Sequence, residues 1–104
     1  MKILDFGSLN YDYVYGVEHV VVPGETISSR DMEIFCGGKG LNQAIAAARA
    51  GAEVHMAGMV GEDGQLFMDI CKENGIDVSY LKQVPGKSGH AIIQLDKNGQ
   101  NSIL

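Results

Sequence analysis

The chain has 104 residues, 45% of them hydrophobic, with 14 glycines and two prolines. That is the composition of a compact soluble fold of one ordinary domain at most, and not of a disordered tail, a collagen-like repeat or a coiled coil. Eight basic against thirteen acidic residues leave a net charge of −5 with no Lys/Arg cluster, which argues against nucleic acid as a partner.

In chain order, Lys2 to Gly7 predicts a short strand, an apolar run closed by glycine. Tyr11 to Val22 predicts a second, because Tyr11, Tyr13 and Tyr15 alternate with Asp12 and Val14 at period two. Pro23-Gly24 breaks it, and Thr26 to Phe35 reads as extended again, so the two arms form a flap off the main sheet. Gly37-Gly38 opens a helix from Lys39 to Ala50, with Leu41, Ala44, Ile45 and Ala48 at helical spacing and Gly51 as its C-terminal stop. Glu53 to Val60 is the next strand. Asp63 is placed to cap a helix running to Asn74, and Gly75 ends it. Ile76 to Leu81 is a short extended segment. Gly89 to Asp96 and Gln100 to Leu104 flank Asn98-Gly99, a strong hairpin signal. This alternation predicts an α/β fold with a parallel sheet, flanking helices and a small β-flap.

No apolar run is long enough to cross a bilayer, and Met1-Lys2-Ile3-Leu4-Asp5 meets an acid too early for a signal peptide. A cytoplasmic location with no membrane partner is therefore expected. Cys36 and Cys71 form no Cys-x-x-Cys pair, so reduced, partly buried thiols are expected, with a disulfide as the alternative. Ending on Ile103-Leu104, in the return arm of a hairpin, carries the expectation that more sheet follows.

Two clusters could carry chemistry. Asn10 and Asp12 follow the first strand, where open α/β sheets bind ligands. Asn donates and accepts while ionised Asp only accepts, a combination suited to vicinal hydroxyls; the same residues would equally make an Asx-type turn. The run Gly37-Gly38-Lys39-Gly40-Leu41-Asn42-Gln43-Ala44 would let a ligand approach a helix start with unpaired N–H groups, with Lys39 and Asn42 nearby. Alternatively it merely starts the helix. It is no Walker A loop, since Glu33 and Gly40 break that pattern, and no dinucleotide fingerprint, since Gln43 does. His19, His55 and His90 lack metal-ligand spacing. Glu62-Asp63 could hold a metal or cap a helix, and the three tyrosines could stack on a ligand or simply belong to a strand.

Together these motifs resemble the N-terminal part of the ribokinase-like carbohydrate kinases, the phosphofructokinase B family. Gly7-Ser8-Leu9-Asn10-Tyr11-Asp12, Pro23-Gly24-Glu25-Thr26, Gly37 to Ala44, Val60-Gly61-Glu62-Asp63-Gly64 and Gly75-Ile76-Asp77-Val78-Ser79 follow one another in the family's order. The diglycine-lysine form and the Asn-x-Asp pair lean toward the ribokinase branch. Leu41, bulkier than the small residue common there, and Leu66, where many relatives have glycine, depart from it. The resemblance implies transfer of the γ-phosphoryl of ATP, with Mg2+, to a sugar hydroxymethyl group, ribose being the expected sugar. It implies that Asn10, Asp12, Gly38, Lys39 and Asn42 bind the sugar. It makes residues 13–35 and 88–104 a lid that also joins two copies as a homodimer, with self-association through the lid or an exposed sheet edge. Members of the family are much longer, and their later part carries the catalytic base, anion hole and nucleotide pocket. No catalytic residue, cofactor or metal is therefore expected on these 104 residues, and the chain alone is expected to be inactive. The alternative is a non-catalytic module that binds sugar or assembles through its lid.

Overall fold

The computed structural model describes residues 1–104 throughout. Its elements are β1 (Lys2–Phe6), β2 (Asn10–Gly16), β3 (Asp31–Gly37), α1 (Lys39–Arg49), β4 (Glu53–Val60), α2 (Gln65–Glu73), β5 (Asp77–Gln83), β6 (His90–Leu95) and β7 (Asn101–Ile103). They divide into two compact units, Met1–Tyr11 with Cys36–Gly89, and Asp12–Phe35 with His90–Leu104.

The first unit is built on a parallel three-stranded sheet in the order β1-β4-β5. Ile3 pairs with Val54, Phe6 with Ala57 and Ala57 with Tyr80; the β4–β5 register shifts between His55 and Ala57. Helix α1 packs on β1 and β4, and α2 on β5. Leu41 and Ala44 of α1 and Phe67 and Cys71 of α2 are buried, as are Val54, Met56 and Val60 of β4 and Leu81 of β5. Period two along the strands sends the alternate residues to the other side of the sheet. There Leu4 and Phe6 are 65% and 83% exposed, and Met59 and Tyr80 are exposed as well. Gly51 (φ +99°) and Gly75 (φ +70°) end the two helices in the left-handed region, as glycine at those places predicts.

The second unit holds most of a four-stranded sheet in the order β3-β2-β6-β7. β6 and β7 are antiparallel, Ile93 opposite Ile103, and Asn98-Gly99 makes the hairpin turn. The Asp96 carboxylate accepts the Asn98 and Gln100 amides, both at 2.9 Å, and Gly99 sits at φ +81°. Pro23-Gly24 forms the expected tight turn: the Glu25 N–H donates to Val22 O at 3.0 Å, with Gly24 at φ +83°.

The largest differences from the sequence reading lie in the flap and at the start of α2. β2 stops at Gly16 instead of Val22, and β3 starts at Asp31 instead of Thr26. Beyond Gly16, Val17 N–H still donates to Leu95 O of β6 at 2.9 Å, but further on the amides turn to side chains: Val21 N–H donates to Gln94 Oε1 at 2.9 Å and Val22 N–H to Glu25 Oε1 at 3.1 Å. Helix α2 begins behind Gly64 with no side-chain cap, so Asp63 is not its cap. Both cysteines are free thiols. Burial pushes the buried Cys71 up to about 11 and raises the half-buried Cys36 too.

Candidate functional site

The diglycine segment stands against the connection between β1 and β2. Gly38 has φ +100° and ψ 143°, a conformation open essentially to glycine alone. A Cβ there would lie 2.6 Å from Ser8 O and 3.1 Å from Asn10 N. A Cβ on Gly40 would lie 2.5 Å from Gly7 C and Ser8 N. Glycine at these two positions is what lets the start of α1 touch the backbone of residues 7–10. Gly38 and Asn10, distant in sequence, are thereby neighbours in the first unit.

That contact changes the chemistry of the helix start. Gly40 N–H faces Ser8 Oγ at 3.5 Å, Leu41 N–H donates to Ser8 O at 3.0 Å, and Asn42 N–H donates to Gly38 O at 2.9 Å. The sequence predicts unpaired amides here; instead those of Gly40 and Leu41 are used, because the glycines bring Ser8 onto the helix end, while that of Asn42 makes the first bond within the helix. The side chains at this corner are the exposed Lys39 and Asn42 and the half-buried Asn10. An ammonium and two carboxamides can donate to and accept from neutral hydroxyls.

Asp12 lies on β2 two residues after Asn10, and is the first residue of the second unit. The tyrosines around it have separate partners. Tyr11 is buried and its ring stacks on Phe67 with centroids 4.1 Å apart. Tyr13 meets the His90 ring edge-on at 5.6 Å. Tyr15 lines a largely apolar cavity of about 440 Å³ within the second unit. Glu25 at that cavity is held below its ordinary value by the His19 ring, 2.9 Å away, and by Val22 N–H. His55 sits between Glu53 at 3.0 Å and Asp77 at 3.6 Å. No three His, Cys, Asp or Glu side chains gather to hold a metal ion.

Sequence reasoning missed Ser88. It is 5% exposed, and its Oγ accepts the Gly61 N–H at 2.8 Å. Its own N–H donates to the Asp63 carboxylate at 2.9 Å. The Ser88 hydroxyl and amide together hold the Asp63 carboxyl below its ordinary value. The Tyr11 hydroxyl donates to the Asp63 carbonyl oxygen, and Tyr11 N–H donates to Gly89 O at 2.9 Å. The signal present in the sequence was Gly61: a Cβ there would collide with Gly86 O and Ser88 N.

A parallel sheet with flanking helices and a glycine-built helix start beside a polar strand start define the class. The model of the pfkB family carbohydrate kinases matches residues 2–104, and the chain belongs to that family. Ribokinase of Haemophilus influenzae is 40% identical over 101 residues, covering 94% of this chain and 33% of that protein. The structure of Cryptococcus neoformans ribokinase in complex with ADP superimposes with a TM-score of 0.90 at 41% identity, over 99% of this chain and 33% of that one. The Arabidopsis thaliana ribokinase complexed with ribose and ATP gives 0.87 at 34% identity, over 97% of this chain and 34% of that one. The chain thus spans about a third of the length of the relatives it matches. No helix is long and apolar enough to cross a membrane.

Proposed function

We propose that this chain is the sugar-binding part of an ATP-dependent carbohydrate kinase, with ribose as the sugar. Asn10, Asp12, Gly38, Lys39 and Asn42 are the proposed contacts. The observation that carries the reading is the corner where Gly38 and Gly40 press against residues 7–10. With Ser8 taking the Gly40 and Leu41 amides of the helix start, that corner favours a neutral polyol over a free anion. Asn10 and Asn42 would exchange hydrogen bonds with hydroxyls, Lys39 would donate, and the Asp12 carboxylate would accept from two of them. The Arabidopsis relative bound to ribose and ATP supports both the sugar and the phosphoryl donor.

These residues do not fit a nucleotide. The glycine run lacks Walker A spacing, and Ser8 takes its Gly40 and Leu41 amides. No step of phosphoryl transfer is assigned to them. The proposal is accordingly that this polypeptide alone binds ribose and does not phosphorylate it. Calorimetric titration with ribose, beside a radiolabelled ATP assay, tests both halves. Ribose heat without turnover is the expected result. Turnover above background overturns the second half, and no ribose heat overturns the first.

A further inference from the structure

Asp63 has neither of the jobs its sequence position suggested. Helix α2 starts without its side chain, and it belongs to no metal-binding group. Its carboxylate instead takes the Ser88 N–H at 2.9 Å, while its carbonyl takes the Tyr11 hydroxyl. Ser88 fastens the same loop a second time through Gly61 N–H. Gly89, next along, accepts Tyr11 N–H at 2.9 Å. Asp63, Ser88, Gly89 and Tyr11 therefore close a ring of bonds, and Asn10 is covalently attached to one member and packed on another. A Cβ on Gly89 would lie 2.8 Å from Asn10 Oδ1, so the Gly89 backbone limits where that carboxamide can turn.

We infer that Asp63 is a positioning residue for the sugar site, acting through Ser88 and Gly89 to fix the side chain of Asn10. The inference rests on the proposed role of Asn10 in sugar binding. Asp63 itself bonds only within the ring. Loss of its carboxylate frees Ser88 N–H, loosens residues 86–89 and gives the Asn10 carboxamide alternative orientations, of which one suits the ligand. Asn at position 63 retains a carbonyl oxygen able to accept the Ser88 N–H, so it should restore most of the effect.

The test uses the 104-residue chain with and without ribose. Without sugar, the Asn10 side-chain NH2 resonances are followed by NMR together with hydrogen exchange of the Ser88 amide. Asp63→Ala and Ser88→Ala should shift or broaden the Asn10 signals and weaken ribose binding about tenfold, the scale of one hydrogen bond. Asp63→Asn should return both toward wild type. Val54→Ala, a core change outside the ring, should lower the melting temperature and leave the Asn10 signals in place. Asn10 signals unmoved in Asp63→Ala, with Ser88 exchange accelerated, overturn the inference. If wild type binds no ribose, the functional reading falls, and the Asn10 resonances alone still decide whether Asp63 positions that side chain.

Discussion

At the scale of single residues, the five proposed contacts divide by what they can lose. Asp12 offers charge: Asp12→Ala should remove a charged hydrogen bond of about 1.5–3 kcal/mol, which is roughly 10- to 150-fold in ribose affinity. Calorimetry giving an unchanged affinity would make Asp12 structural. Gly38 offers space. At Gly38→Val, the Cβ would fall 2.6 Å from Ser8 O in a conformation that disfavours any side chain, a strain of about 1–3 kcal/mol. Thermal melts should register that loss even without ligand, whereas Gly24→Ala, with nothing within 4 Å, should bear only its backbone strain. A Gly38→Val protein as stable as wild type contradicts the close approach. Asn10, Gly38, Lys39 and Asn42 could be singled out from the sequence because their motifs are local. Ser88 could not, since its partners Asp63 and Gly61 are 25 and 27 positions away and a serine in a Gly-Lys-Ser-Gly loop carries no pattern of its own.

At the scale of elements, α1, β4 and the 98–99 hairpin were readable because each is specified by its own period and its own glycine. Strand ends in the flap were not. The valine-rich run beyond Gly16 has strand propensity, but after Val17, which still bonds Leu95 O, it has no strand neighbour, and β3 begins only at Asp31, whose carboxylate takes the Gly16 N–H at 3.2 Å. The same nonlocality diverts Asp63 from α2 to the Ser88 loop. Acid sensitivity follows from such links. The His55 hydrogen bond holds Glu53 below its ordinary 4.5; Ser88 does the same for Asp63, and the Ser79 amide for Asp77, both ordinarily 3.8. Carboxyls depressed in the folded state stabilise it above their unfolded values, and that stability is lost as the pH falls through the folded ones. Melting temperature should therefore be level from neutral pH to about 5 and decline below about 4. Asp63→Asn and Glu53→Gln should each flatten the decline, and a profile still level at pH 3 would deny these bonds any weight.

At the scale of the whole molecule, the alternation of strand and helix was enough to reach the fold class, and the order of five short motifs was enough to reach the family. What composition could not reveal is the bare side of the parallel sheet, where Leu4, Phe6, Met59 and Tyr80 lie open and β1 is an edge strand. Apolar surface of that kind favours association. Light scattering at micromolar concentration should give a mass above the 11.1 kDa of one chain, and Phe6→Lys should lower it; a clean monomer for wild type removes the prediction. The tyrosines supply a way to watch the proposed site. The chain has no tryptophan, and three of its four tyrosines lie on β2 between Asn10 and Gly16. Ultraviolet emission from the unlabelled protein therefore originates largely beside Asp12, and a monosaccharide, itself optically silent, would announce its arrival there without any dye.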